Sequence, residues 1–212
     1  MIDNVNGIDG VGLVLKDDEH LDSLSAYLNR KNIKYIFSEI DVDILVKPEI
    51  FDKQTSFYIT SWRDQHESNK LTFNGITDRK GRFKKDYFKL MNILKDSDIE
   101  VDNPVIRILR PAALIYENTT YHYYAMIYND THGWKYGMQV DGYSFEWSLI
   151  KCDKFGNFLT VKDVGDGPVI SLTIPKNHEY FQLLLTTFKN GTINQTITTL
   201  NTPLIVDEGG LN

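Results

Sequence analysis

The residue types best suited to chemistry gather between positions 38 and 65. Ser38-Glu39-Ile40-Asp41 follows a strand-like run, so a carboxylate stands at a strand's C-terminal end, where active sites of β/α barrels lie. Asp41 comes two residues after Glu39 and, on a continuing strand, shares its face about 6.6–6.8 Å further along. The next strand-like run ends Tyr58-Ile59-Thr60-Ser61-Trp62-Arg63-Asp64-Gln65, where an indole precedes an acid and an amide. Taken alone, Glu39 reads as a solvated strand-end acid and Trp62 as a core or rim aromatic. Their succession is what gives them chemical interest.

Other constellations fall away. The five histidines, His20, His66, His122, His132 and His178, have no ligand spacing, and Cys152 is the single cysteine, so no metal site is expected. Gly7, Gly10 and Gly12 precede a strand rather than follow one, and so form no phosphate-binding loop. Gly165-Asp166-Gly167 lacks the remainder of a calcium loop, and no order of serine, histidine and acid suggests a triad. No cofactor is expected. Cys152 reads as a small buried hydrophobe in a strand. Trp147 reads as the buried tryptophan of a sandwich strand, and Trp134 with Tyr136 as loop aromatics that could offer a sugar platform.

These residues need elements to position them, and composition allows such elements. The 212 residues are 42% hydrophobic and 25% charged, which fits one large domain or two modest ones with a buried core. One cysteine excludes a disulfide scaffold, and no apolar run reaches the roughly 18 residues of a membrane span. Net charge is −6 and both halves are net acidic, which argues against nucleic acid as a partner. The one basic cluster, Arg79-Lys80-Gly81-Arg82-Phe83-Lys84-Lys85, reads as a solvated turn and helix start. Met1–Gly10 has no leader pattern; a cytoplasmic location is expected unless a longer parent carries an export signal to the periplasm or the exterior.

Residues 1–98 alternate strand and helix patterns. Strands are expected at Val11–Leu15, Ile33–Phe37 and Ser56–Thr60, with helices over Asp17–Asn29 and Phe83–Lys95. That order is the grammar of a parallel sheet with crossover helices. From Asn103 the pattern becomes all-β: Val105–Leu109, Tyr121–Tyr128, Phe145–Ile150, Val169–Ile174, Tyr180–Phe188 and Thr192–Leu200, separated by turn residues. Residues 104–206 read as an immunoglobulin-like β-sandwich, with Lys95–Pro104 as the boundary. Three parallel strands leave raw edges and a bare apolar face. The first half is therefore expected either to lie against the sandwich or to be the last three units of a β/α barrel.

The second option has a resemblance behind it. Asn74-Gly75-Ile76-Thr77-Asp78-Arg79-Lys80-Gly81-Arg82-Phe83-Lys84-Lys85-Asp86-Tyr87 follows the strand-end tryptophan and leads into the last helix. This order resembles the end of the catalytic barrel in family 2 glycoside hydrolases and their clan relatives, over roughly residues 8–95. The resemblance implies Glu39 as nucleophile, Trp62 at the base of the sugar site, and Asp64 with Gln65 on its rim as substrate contacts. It also implies an acid/base glutamate after a fourth strand that this sequence does not contain. The expected function is thus the C-terminal portion of a retaining glycoside hydrolase, inactive alone. Its expected partners are carbohydrate and either the remainder of a barrel or a second copy bound through the first half; neither nucleic acid nor membrane is expected. The alternative is a non-catalytic carbohydrate- or protein-binding sandwich with an α/β docking platform.

Overall fold

Parallel pairing organises the first of two units, which are Met1–Gln65 with Phe73–Glu100, and His66–Thr72 with Val101–Asn212. The structure, a computed structural model, describes residues 11–15, 21–40, 56–59, 61–64, 66–67, 70–95, 97–111 and 114–200. Among these the chain is mostly β-sheet, with two short α-helices.

Strand β1 (Val11–Leu15) pairs in parallel with β2 (Tyr35–Ile40), and β2 with β3 (Ser56–Ile59), giving the order β1-β2-β3. Helix α1 (Leu21–Arg30) makes the crossover between β1 and β2. Its end is set locally: Asn32 adopts φ +54°, and the Ile33 amide donates back to the Leu28 carbonyl at 3.0 Å. Asparagine tolerates the left-handed region that such a C-terminal motif requires. Helix α2 (Lys85–Lys95) carries Asp86 in its first turn and Lys95 in its last, matching the helix dipole at both ends. Among the described residues of this unit, Leu28, Phe37, Ile40, Ile76 and Leu90 are the buried aliphatic and aromatic side chains.

The expected strand Ile33–Phe37 differs from β2 in one consequential way: β2 runs on to Ile40 and therefore contains Glu39. Phe37 and Ile40 are both buried although they are three residues apart, which a plain two-residue pleat does not allow. The register resolves this conflict with a bulge. Leu13 pairs Phe37 but Val14 pairs Glu39, and Phe37 pairs Phe57 while Ile40 pairs Ile59. Ser38-Glu39 thus carries one extra residue relative to both neighbours. Of the helix expected over Asp17–Asn29, residues 17–20 lie outside the described residues. A short hairpin, β4 (His66–Glu67) with β5 (Lys70–Leu71), follows β3.

The second unit is a sandwich. One sheet has the order β10-β9-β12-β13, from Phe158–Asp166, Ser144–Cys152, Phe181–Lys189 and Thr192–Thr199. The other has the order β11-β7-β6, from Val169–Thr173, Thr120–Asn129 and Ile106–Leu109, with β8 (Gly133–Tyr136) also on β7. Tyr123, Ala125 and Ile127 from one sheet meet Phe145, Trp147, Leu183 and Leu185 from the other in a single core. Asn190 and Gly191, with φ of +50° and +81°, make the two-residue turn between β12 and β13, a geometry matched to strand twist.

Two strands of this unit, β8 and β10, were not among those expected. β8 has four residues, two of which, Trp134 and Tyr136, read as loop aromatics. β10 includes Asp163, Gly165 and Asp166, poor strand formers, and its register against β9 is irregular between Phe158 and Thr160 and between Asp163 and Gly165. Irregular pairing along an edge strand accommodates those residues. Cys152 closes β9 rather than sitting within it, and is half-buried; burial raises its thiol above the usual range.

Candidate functional site

Past β3 the chain continues as Ser61–Asp64, held by a later segment. Thr77 forms a parallel bridge with Arg63 and an antiparallel one with Phe83, so three short stretches lie side by side. The carbonyl of Trp62 accepts from both the Thr77 amide, at 3.0 Å, and the Thr77 hydroxyl, at 2.9 Å. The Thr77 carbonyl in turn accepts the Asp64 amide at 2.9 Å. The backbone around Trp62 is therefore pinned, while its side chain is 52% exposed. Tyr87, from the first turn of α2, meets the indole edge-on at 6.4 Å between ring centroids.

Beneath Trp62 lies a latch. Asp64 is 3% exposed, and its Oδ1 accepts from Lys84 Nζ at 2.5 Å and from the Gly75 amide at 3.1 Å. Lys84 Nζ also donates to the Phe73 carbonyl at 2.8 Å. Burial pushes the Asp64 carboxyl above the usual carboxylate range; Lys84 and the Gly75 amide pull it back without cancelling that effect. A β-carbon on Gly75 would stand 2.3 Å from the Arg63 carbonyl carbon and from the Asp64 nitrogen, so only glycine permits this approach. Asp78, buried as well, closes the following turn: Oδ1 accepts the amides of Lys80 and Arg82, and Oδ2 binds the Arg82 guanidinium through Nε at 2.6 Å.

Three of the residues expected at the site, Glu39, Trp62 and Asp64, have a place in the described structure. Glu39 is the next-to-last residue of β2, in the bulge. Trp62 emerges three residues after β3, whose Ile59 pairs with Ile40, so both belong to the C-terminal end of the same parallel sheet. Asp64, expected on the rim, is buried, and one oxygen of its carboxylate, Oδ1, is committed to Lys84 and Gly75. Asp41 and Gln65 lie outside the described residues. The segment from Asn74 to Tyr87 that carries the resemblance supplies Gly75, Thr77 and Lys84, which hold Trp62 and Asp64. Sequence reading missed Lys84 and Thr77 as its working parts, because Lys84 meets an acid twenty positions earlier and no local pattern marks such a pair.

In the second unit the sugar platform suggested by Trp134 and Tyr136 is partly occupied. The Arg107 guanidinium sits 4.1 Å from the centre of the Trp134 ring, and Tyr128 meets it edge-on at 5.4 Å. Tyr136 is 38% exposed and packs edge-on against Tyr124. Trp147 is fully buried, with its indole N–H donating to the Gly167 carbonyl at 2.8 Å. An open cleft of about 570 Å³ is lined by Met138, Tyr143, Phe145, Glu146, Asp166 and Phe188, among others. Among the described residues no group of three His, Cys, Asp or Glu side chains could hold a metal ion, and no helix is long and apolar enough to cross a membrane.

No family model, curated protein or solved structure matches this chain. The candidate site accordingly stands on its own geometry and on the residue pattern.

Proposed function

We propose that the chain is the C-terminal portion of a retaining glycoside hydrolase and carries the nucleophile side of its site. Glu39 is the nucleophile and Trp62 the aromatic that faces the sugar. The observation that carries this reading is the bulge at Ser38-Glu39. Bulges are rare in parallel pairs and are over-represented beside active sites, where they re-aim a side chain. This one falls on the single acidic residue of β2, one strand away from a pinned backbone that presents an exposed indole. On this reading the parallel order β1-β2-β3 is the end of a β/α barrel. The two sheets of the second unit, with a buried tryptophan on β9, are an immunoglobulin-like accessory domain.

Glycoside cleavage with retention uses two carboxyl groups about 5–5.5 Å apart: one attacks the anomeric carbon, the other protonates the departing oxygen. Glu39 supplies the first role. Substrates whose leaving group departs without a proton separate the two. Dinitrophenyl 2-deoxy-2-fluoroglycosides need no acid to form the glycosyl ester, and their fluorine slows its hydrolysis. A panel of these sugars should add one fluoroglycosyl mass to the peptide containing Glu39 and none to Glu39→Gln, while ordinary aryl glycosides remain intact. Failure of every sugar to label, or equal labelling of Glu39→Gln, refutes the assignment.

The open cleft beside Tyr143 and Phe145 favours a second reading, a sandwich that binds ligand without catalysis. Binding of a soluble glycan that is lost in Tyr143→Ala and unchanged in Trp62→Ala would select it.

A further inference from the structure

The last strand of a sheet leaves N–H and C=O groups unpaired, and proteins blunt such edges with short strands, charges, prolines or bulges. Among the described residues, the second unit does so on every edge strand but one. β6 and β8 have four residues each and β11 has five. β10 is irregular in register and carries Lys162, Asp163 and Asp166. β13, in contrast, reads Thr192-Ile193-Asn194-Gln195-Thr196-Ile197-Thr198-Thr199. It is eight residues long, pairs with β12 without a break, and holds no charge, glycine or proline.

The turn before β13 decides which of its groups are open. Lys189 and Thr192 flank the two-residue turn and exchange hydrogen bonds, and along an antiparallel ladder every second residue then does the same. Leu200, in the series of Thr192, shows the same phase: its amide donates to the Phe181 carbonyl at 3.2 Å. Ile193, Gln195 and Ile197 therefore turn their N–H and C=O groups away from β12. Among the described residues no backbone hydrogen bond outside the ladder engages them. The open edge ends at Thr199, whose carbonyl accepts Arg110 Nη1 at 3.2 Å.

From this edge we infer that the chain pairs with a second copy of itself, β13 against β13, antiparallel and centred on Gln195. The association is independent of the catalytic reading and lies in the second unit, not in the first half where it was expected. Residues opposite each other across a ladder share a face of the sheet, so a two-fold pairing must be centred on a residue. Centring on Gln195 places Ile193 opposite the partner's Ile197, and Gln195 opposite the partner's Gln195. Ile193, Gln195 and Ile197 each bring one donor and one acceptor, so the two copies share six backbone hydrogen bonds. Their four-stranded sheets become one of eight strands. The side chains suit this register: Ile197, 40% exposed, gains an aliphatic neighbour, and no like charges meet along the edge. The contact is isologous and closes at two copies. It is also narrow, and each copy carries a net charge of −6, so the dimer is weak, reversible and tighter where salt screens the repulsion.

Sedimentation equilibrium of the purified chain, from micromolar to millimolar concentration, tests this. A monomer–dimer equilibrium is expected, with a Kd that falls as salt is raised. Amide exchange locates the contact. The amides of Ile193, Gln195 and Ile197 should exchange fast in dilute solution and slow down as the chain is concentrated. Those of Asn194, Thr196 and Thr198, bonded to β12, should change little. Gln195→Pro removes an edge-facing N–H and spares the ladder to β12. Ile197→Lys sets a cation on an exposed position of the edge. Each should raise Kd about tenfold or more, with the amides of Leu183 and Leu185 as protected as in the parent. A chain that stays monomeric at millimolar concentration would overturn the inference. So would edge amides whose exchange ignores concentration, or a dimer left unchanged by both variants, as association through the first unit would be.

Discussion

Replacing Lys84 with methionine removes the cation from the latch and leaves the Asp64 carboxylate buried. The Asp64 side chain has no exposure and that of Lys84 only 15%, so the pair behaves as an internal one. Breaking a buried pair by removing one partner costs about 3–5 kcal/mol, and the residual exposure of Lys84 places this case near 3. At about 1.4 kcal/mol per tenfold, that is roughly a hundredfold increase in local opening. The pH dependence has a definite sign. Asp64 already titrates above its ordinary 3.8 because it is buried, and losing Lys84 raises it further. A carboxyl with a raised folded value is penalised at high pH, and the penalty fades as pH falls through that value toward the unfolded one. Amide exchange at Gly75, Thr77 and Asp78, corrected for intrinsic rates, should therefore speed up about a hundredfold at pH 7.5 and distinctly less at pH 5.5. The double variant Asp64→Asn/Lys84→Met should recover most of the loss, because no charge is then left buried. Exchange within threefold of the parent at both pH values would refute the argument that this ion pair holds the Trp62 segment.

Other outcomes follow from the same geometry. Gly75→Ala should cost about 3 kcal/mol, since its β-carbon meets backbone atoms rather than a movable side chain; the same three amides report it. Tyr123→Phe should leave thermal stability unchanged or raise it by about 1 kcal/mol, because the hydroxyl is buried with no partner among the described residues. Burial holds that phenol up to about 12, so spectroscopic titration should show one tyrosine ionising last, absent from the variant. Trp147→Phe should destabilise the sandwich by about 2 kcal/mol, through lost volume and an orphaned Gly167 carbonyl; a midpoint within 1 °C of the parent would contradict this.

Periodicity carried the sequence reading a long way. β1, β3, α2 and six strands of the second unit lie within a few residues of their expected places, because apolar spacing reports which face is buried. β8 and β10 were not legible: one is too short to show a period, and the other owes its pairing to a neighbour rather than to its own residues. The site divides in the same manner. Glu39 and Trp62 were visible as residue types at strand ends, but the bulge around Glu39 was not, since it exists only as a mismatch of β2 against two other strands. Asp64 shows the converse failure. The resemblance implies a rim contact for it, whereas its partner is a lysine twenty positions later, which no local pattern reveals.

Lys84 reaches both Asp64 and the Phe73 carbonyl, and so clamps the two ends of the stretch 65–72. Whatever is spliced into that stretch hangs from a fixed base, while the backbone of Trp62 is secured separately by Thr77. Lengthening a flexible insert costs slowly, about 0.6 kcal/mol for each doubling. The clamp therefore makes 65–72 a graft point: an insert there starts and ends on fixed backbone, so its length could be varied with little disturbance to the mounting of Trp62.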